Sequence, residues 1–168
     1  MGFDVVSVMP NVYRLALPIP GSTPGSGWWL RSAMTGRVDL LDSLFDARSG
    51  GGVTDAVLTF SDRHTALSGT LQTPSGQPAS DCFIVAFTTD RSLWTPQGRR
   101  LRTMRPGTDG GFSFKDLPPG EYFLAALTDI DQDEWQAPAF LAEVAAAGAI
   151  AITIGEGEQK VQNLRIGG

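Results

Sequence analysis

Residues 111–127 constrain the fold of this chain more than any other stretch. Phe112 and Phe114 alternate with polar side chains, which is the period of a strand with one buried face. The Pro-Pro-Gly at residues 118–120 cannot continue a hydrogen-bonded ladder and favours a tight reversal. A second alternating run of aromatic and aliphatic side chains begins at Tyr122. The sequence therefore predicts two neighbouring strands joined by a turn.

The composition agrees with a fold rich in strands and turns. The 168 residues include 20 Gly and 11 Pro, which is typical of a β protein with many turns. Residues 137–147 are the one helix candidate, because Pro138 suits a first helical turn and Gly148 suits an end. Phe140 and Val144 would give that helix an apolar stripe. We therefore expect an all-β fold with one short helix.

The later part of the chain contains enough strands for a complete sandwich. Besides the two strands of the opening stretch, the apolar runs predict strands at 65–72, 81–88, 99–104, 149–154 and 160–166. Seven short strands separated by turns are typical of a β-sandwich. The alternation assigns one shared core to Phe83, Val85, Phe112, Phe114, Tyr122, Leu124 and Ile152.

The first 63 residues resemble an incomplete version of the same plan. Their apolar runs predict strands at 3–8, 13–17, 27–33, 38–42 and 56–60. Residues 2–17 also parallel residues 111–127, since both contain Gly-Phe, a strand, an apolar-Pro turn and then Tyr-x-Leu-Ala. If this repeat is real, the chain begins in the middle of a sandwich. We therefore predict a partial β-sandwich at 1–63 and a complete domain at 64–168.

Several motifs in the second section resemble the carboxypeptidase regulatory-like domain. They are Leu-Ser-Gly-Thr-Leu at 67–71, Ser-Gly-Gln-Pro at 75–78, Asp-Gly-Gly-Phe at 109–112, Leu-Pro-Pro-Gly-Glu-Tyr at 117–122 and Glu-Gln-Lys-Val at 158–161. The resemblance covers residues 64–168 and implies a Greek-key, seven-stranded transthyretin-like (prealbumin-like) sandwich. It also implies an accessory module without catalytic residues, of the kind fused to peptidases, transporters and surface proteins.

Charge and hydropathy limit the classes of partner. The net charge of -5 argues against nucleic acid and anionic membranes. No apolar run reaches the roughly 20 residues that a membrane-spanning helix needs. The first residues lack the basic and apolar regions of a signal peptide. The chain is then either cytoplasmic or part of a longer exported protein, and we favour the second, in an extracellular or periplasmic location.

Catalysis finds little support in the side chains present. His64 is the single histidine, which excludes a metal site with two histidines. A hydrolytic triad could be written from Ser61, Asp62 and His64, but no nucleophile-elbow motif surrounds the serine. Cys82 lies in a continuous apolar run, which indicates a buried, unreactive thiol. The sequence therefore predicts no enzyme, no catalytic residue and no cofactor.

Two sets of side chains are candidates for ligand binding. Carboxylates alternate at Asp129, Asp131 and Asp133 as they do at the start of a calcium loop. Glu134 stands where such a loop needs Gly, so these aspartates are metal candidates in some other geometry. Aromatic faces stack on sugar rings. The carbohydrate candidates are Trp28, Trp94 and Trp135.

These observations lead to three hypotheses about function. The first is a non-catalytic accessory or interaction module of a larger bacterial exported or surface protein. The second is a self-assembling structural subunit, in which the incomplete first section pairs its strands with another copy, because an open sheet edge is prone to association. The third is a carbohydrate-binding module.

Overall fold

The computed structural model describes residue 4 and residues 8–20, 22–48, 52–131 and 134–166. Within these residues the chain consists of short strands and one α-helix, which confirms the prediction of an all-β fold. The strand predicted at 3–8 lies mostly outside the described residues. The chain divides into two compact units: the first comprises Met1–Ser22 and Trp28–Ser61, and the second comprises Thr23–Gly27 and Asp62–Gly168.

The first unit contains short strands around a small core. They are β1 (Val12–Tyr13), β2 (Trp29–Thr35), β3 (Val38–Asp39), β4 (Phe45–Asp46) and β5 (Val57–Ser61). β1 pairs with β4, and β2 pairs with both β3 and β5; all of these pairs are antiparallel. The buried core consists of Ala33, Leu40 and Leu41.

Two strands of the first unit are shorter than the sequence predicts. Of the strand predicted at 13–17, only Tyr13 is in a strand, at the end of β1. Of the strand predicted at 38–42, only the two residues of β3 are. The carboxylate of Asp39 accepts the N–H groups of Ala33 and Leu41, each at 3.0 Å. This side chain thereby competes with a continued ladder and turns the backbone after β3. The strand β4 was not predicted.

The second unit contains eight strands and the helix. The elements are β6 (Ala66–Gln72), β7 (Phe83–Thr88), β8 (Leu101–Met104), β9 (Gly111–Lys115), β10 (Gly120–Leu127), α1 (Pro138–Ala146), β11 (Ile150–Ile154), β12 (Gln159–Val161) and β13 (Leu164–Arg165). One sheet has the order β11-β10-β7-β8 and is antiparallel throughout. In the other, β6 pairs antiparallel with β9 on one side and parallel with β12 and β13 on the other.

The main core is formed by side chains from both of these sheets. Five of the seven predicted core residues belong to it, namely Phe112, Phe114, Tyr122, Leu124 and Ile152. The prediction was wrong for Phe83 and Val85, which lie in a second cluster on the other face of β7. Because β7 is buried along its whole length, alternation sends Ile84 and Ala86 to the main core and their neighbours to the opposite face.

The helix α1 covers that opposite face and adds a third layer to the second unit. Leu141 and Val144 of α1 are buried in one cluster with Phe83 and Val85 of β7. The helix begins at Pro138, and Ala147 forms its C-cap. The prediction of a helix at 137–147 is therefore correct to within one residue at each end.

The strand predicted at 160–166 is divided into β12 and β13 by a close contact with β6. The amide of Thr70 in β6 donates to the side-chain Oδ1 of Asn163 at 3.0 Å, where a regular ladder would use a backbone carbonyl. The neighbouring carbonyl of Gln162 approaches Gly69 so closely that a Cβ there would lie 2.0 Å from it. Only glycine fits at this position, which explains the Gly of the Leu-Ser-Gly-Thr-Leu motif.

A tyrosine anchors the turn before β10, and the first unit contains a counterpart. The hydroxyl of Tyr122 donates to the carbonyl of Pro118 at 2.6 Å, a tyrosine corner of the kind found in sandwich domains. The hydroxyl of Tyr13 donates to the carbonyl of Met9 at 2.8 Å. Both bonds span four residues and close over a proline. The strands that follow differ, because β1 ends at Tyr13 whereas β10 extends to Leu127.

Candidate functional site

The single histidine makes hydrogen bonds through both ring nitrogens. His64 lies just before β6, and its side chain is 16% exposed. Nδ1 lies 2.6 Å from Oδ1 of Asp116, and Nε2 lies 2.8 Å from the carbonyl oxygen of Gly27. A carbonyl oxygen can only accept a hydrogen bond, so Nε2 carries a proton. The ring therefore has no free nitrogen with which to take a proton from a substrate.

Asp116 connects this ring to residues 23–27. It follows β9 with φ 58, and its amide donates to the carbonyl of Thr65 at 2.9 Å, which continues the β6–β9 ladder by one residue. Its second carboxylate oxygen accepts the amide of Gly25 at 2.7 Å. Gly25 has φ +80, and a Cβ there would lie 2.6 Å from Cδ of Lys115. One carboxylate thus contacts both the histidine and a turn whose left-handed backbone at Gly25 favours glycine.

These contacts change the acidity of the histidine. The hydrogen bond to Asp116 raises the pKa of His64 above its ordinary value, and the bond to Gly27 and the charges of Asp116 and Asp62 act in the same direction. Partial burial of the ring opposes this rise in pKa. The hydrogen bond to Asp116 is the largest of these effects, so the net shift of the His64 pKa is upward.

The triad that could be written from Ser61, Asp62 and His64 differs from the observed arrangement. The carboxylate hydrogen-bonded to His64 is Asp116, and Asp62 acts on the ring only through its charge. Ser61 is buried and belongs to the first unit. The expectation that the chain has no catalytic residue stays a prediction.

Two of the acidic metal candidates accept hydrogen bonds from nearby backbone amides. Oδ1 of Asp129 accepts the amide of Ile130 at 2.9 Å, and the carbonyl of Asp131 accepts the amide of Trp135 at 3.0 Å. Asp133 lies outside the described residues. Among the residues that the structure describes, no three His, Cys, Asp or Glu side chains are grouped to hold a metal ion. Metal binding at Asp129, Asp131 and Asp133 stays a prediction.

The tryptophan candidates have different environments. Trp94 and Trp135 are 4% and 6% exposed and pack in the cluster beneath α1. The indole N–H of Trp94 also donates to the carbonyl of Thr88 at 2.7 Å. Neither ring offers a face to a sugar, so the stacking surface predicted from them is wrong for these two residues. Trp28 is 57% exposed, and the carbohydrate hypothesis rests on this residue alone.

An open groove of about 530 Å³ lies beside α1 and was not predicted. Its apolar lining includes Phe140 and Val144 of α1 and Ile150 at the start of β11, with Glu143 and Arg165 as charged groups. The groove follows from the short β11, which leaves the end of β10 without a partner on that side. The sequence carried no signal for it, because its walls come from separate segments of the chain.

Comparisons with known proteins give no family. No family model matches this sequence, and no curated protein matches it significantly. Solved structures do match, in 26 chains. A dioxygenase domain from Streptomyces sp. SirexAA-E, part of a dioxygenase carbohydrate-binding protein fusion, is 10% identical, with 61% of this chain and 79% of that chain covered and a TM-score of 0.38.

Two pilus proteins are also among the similar structures. BcpA, the major pilin subunit of Bacillus cereus, is 14% identical over 67% of this chain and 31% of its own, with a TM-score of 0.41. The group B streptococcus pilus 2b backbone protein is 11% identical over 87% of this chain and 52% of its own, with a TM-score of 0.39. The chain therefore spans less than two thirds of either pilin, and these low scores assign it no function. No helix in the described part of the chain is long and apolar enough to cross a membrane.

Proposed function

We propose that this chain is a non-catalytic accessory module that works by binding protein, within a larger bacterial protein that is exported or displayed on the surface. The module is a carboxypeptidase regulatory-like, transthyretin-like domain at 64–168, preceded by a partial sandwich at 1–63. Structural roles for the motif residues support this assignment. Gly69 admits the carbonyl of Gln162, and Tyr122 anchors the turn at Pro118. Both ring nitrogens of His64 are already hydrogen-bonded within the chain, which supports a binding module over an enzyme.

The observation that carries the proposal is the open edge of β11. This strand, Ile150–Ile154, is the end strand of its sheet, and no other described residues pair with its outer side. Its sequence is Ile-Ala-Ile-Thr-Ile, with no charge and no proline. Ile152 and Ile154 are buried, while Ala151 and Thr153 are exposed. Such an edge is a template for a strand from another chain.

Other edge strands of the second unit carry the charges that usually prevent such pairing. Arg102 lies in β8, Lys115 in β9, Lys160 in β12 and Arg165 in β13. A charged side chain on an edge strand raises the cost of placing a second strand against it. β11 lacks this protection, and we assign the binding surface to it.

Antiparallel pairing of β11 with β11 of a second copy fits the charges around this edge. With Ile152 opposite Ile152, Ile150 faces Ile154 and Glu156 faces Gly148, so like charges do not meet. Parallel pairing would set Glu156 beside Glu156. The antiparallel contact is symmetric about a two-fold axis and closes at a dimer. It would join two four-stranded sheets into one continuous sheet.

The test is the molar mass of the chain by light scattering over a concentration series. We expect the dimer fraction of the wild type to rise with concentration. The double variant Ala151→Lys/Thr153→Lys should stay monomeric, because residue 151 faces residue 153 of the second copy and lysines would oppose lysines. Both positions are exposed in the monomer, so the fold should tolerate the change. The matched control is Ser113→Lys, at an exposed position of β9, which should dimerise as the wild type does.

Association of the first section is the second candidate, and an observation favours it as well. The strand β5 is also an uncharged end strand, and it exposes Val57 and Phe60 at 63% and 42%. Pairing through β5 would make the chain a self-assembling subunit. The variant Val57→Lys separates the two contacts. If it abolishes association while the β11 double variant does not, the first section carries the contact and our assignment to β11 is wrong.

A further inference from the structure

The environment of His64 favours two protons on its ring. Nε2 faces a carbonyl oxygen and Nδ1 faces a carboxylate oxygen of Asp116. The other oxygen of that carboxylate accepts the amide of Gly25, so both of its oxygens act as acceptors, as in the ionised form. Two acceptors can be satisfied together only by an imidazolium ion. A neutral ring loses one of the two hydrogen bonds.

These bonds hold a short turn that enters the second unit from elsewhere in the sequence. Residues 23–27 form a reversal in which the amide of Ser26 donates to the carbonyl of Thr23 at 2.9 Å. Gly25 contacts Asp116, and Gly27 contacts His64. The stretches before and after the turn, up to Ser22 and from Trp28, belong to the first unit. The turn is thus fixed to the second unit through a pair of ionisable side chains.

We propose that His64 is a pH-operated clasp: its protonated ring, with Asp116, holds the turn at 23–27 on the second unit, and loss of the ring proton releases that turn. The bond from Nε2 to Gly27 or the bond from Nδ1 to Asp116 is lost when the proton leaves. Because Asp116 also binds Gly25, weakening of the pair affects both contacts of the turn. The device is independent of the association surface on β11.

The charged groups around the clasp determine whether it opens when the pH is raised or when it is lowered. Asp116 and Asp62 favour the protonated ring, and the side chain of Lys115 lies against Gly25 in the turn. From β12, the amide side chain of Gln159 donates to the carbonyl of His64 at 2.7 Å and is not titratable. The charged groups on either side of Gln159 are an ion pair, Glu158 with Lys160. The stem of the Arg63 side chain lies against Gly157. One carboxylate, that of Asp116, therefore contacts the ring directly, and Asp62 acts on it through charge.

The sign of the pH dependence follows from the raised pKa of His64. A histidine whose pKa is higher in the folded state stabilises that state fully below its unfolded value of 6.5. The contribution is lost as the pH rises through the folded pKa. We therefore expect the clasp to be closed below pH 6.5 and to open as the pH rises through the folded pKa of His64. Each unit by which the folded pKa exceeds 6.5 corresponds to about a tenfold change in the clasp equilibrium.

The test uses the fact that the chain has one histidine, so its imidazole signals in an NMR titration are unambiguous. We expect His64 to titrate above 6.5, and the amide signals of Gly25 and Gly27 to shift with the same midpoint. The variant Asp116→Asn should lower the pKa of His64 and remove the shift at Gly25. Asp62→Asn is the matched control, which should lower that pKa less because its effect is through charge alone. Titration at or below 6.5, or amides that do not follow the ring, would overturn the proposal.

A second variant separates the clasp from general stability. In His64→Gln the side chain cannot titrate, so the exchange protection of the Gly25 amide, which donates to Asp116, should no longer depend on pH after correction for intrinsic exchange. In the wild type that protection should fall by up to about tenfold for each unit of pKa elevation. The amides of β7 report the fold and should be unchanged. If the wild-type pH dependence persists in His64→Gln, His64 is not the clasp.

Discussion

The tyrosine corner gives the sharpest test of the packing of the second unit. Tyr122 is fully buried, and its hydroxyl donates at 2.6 Å to the carbonyl of Pro118, which is also fully buried. Replacing Tyr122 by Phe keeps the ring and removes the donor. The Pro118 carbonyl is then buried without its partner, which costs roughly 1–3 kcal/mol. The guanidinium of Arg100 lies 3.4 Å from the hydroxyl and 3.0 Å from the carbonyl of Pro119, so it is already committed.

The matched control for this change is Tyr13→Phe. Tyr13 makes the same four-residue hydrogen bond, to the carbonyl of Met9, but Met9 is largely exposed. Water can replace the lost donor at an exposed carbonyl, so the free energy of unfolding of the first unit should change by no more than about 0.5 kcal/mol. The two substitutions are chemically identical and differ in burial.

Native-state hydrogen exchange measures the two units separately. The slowest amides of β7 report global opening of the second unit, and those of β2 report opening of the first. We expect Tyr122→Phe to speed exchange in β7 by roughly 5- to 150-fold, and Tyr13→Phe to leave exchange in β2 nearly unchanged. Equal effects of the two variants, or no effect of Tyr122→Phe, would refute the argument from burial.

Three further predictions concern the core, a close contact and acidity. Phe112→Ala, which removes a buried ring from the main core, should lower the free energy of unfolding by about 3–5 kcal/mol in urea titrations, and a loss below 1 kcal/mol would contradict the assigned register. Gly69→Ala should destabilise by at least about 1–3 kcal/mol, because a Cβ would lie 2.0 Å from the backbone oxygen of Gln162; a wild-type unfolding midpoint would show that the contact is absent. The free energy of unfolding of the wild type relative to His64→Gln should be greatest below pH 6.5 and decline as the pH rises, since the pKa of His64 is raised in the fold; a difference that grows with pH would contradict this sign.

The sequence predicts the elements of the second unit well where one rule of local structure applies. Alternation locates β9 and β10, and Pro138 and Gly148 bound the helix. Alternation failed at β7 because it says only that neighbouring residues face opposite ways. Which face meets the other sheet depends on what covers each side, and here α1 covers the side of Phe83 and Val85. The same layer buries Trp94, which a sequence cannot distinguish from an exposed tryptophan.

The contacts of His64 lay beyond sequence reasoning for a different reason. The ring meets Asp116 across 52 residues and Gly27 across 37. The meeting depends on the register of β6 against β9 and on the left-handed backbone of Asp116. An aspartate next to a Leu-Pro-Pro-Gly turn gives no local signal for such a partner. The lack of charge in β11, in contrast, can be seen in the sequence, and its meaning follows once β11 is known to lie at the end of a sheet.

Amide hydrogen exchange of Ile150–Ile154 in the wild type, measured as a function of protein concentration, reports directly on pairing at the β11 edge. Pairing of β11 with a second copy predicts that amides on the outer edge of this strand become more protected as concentration rises. The charged edge strand β8 should show no such change. Exchange in Ile150–Ile154 that is the same at every concentration, in a sample whose molar mass does increase, would contradict the assignment of the binding surface to β11.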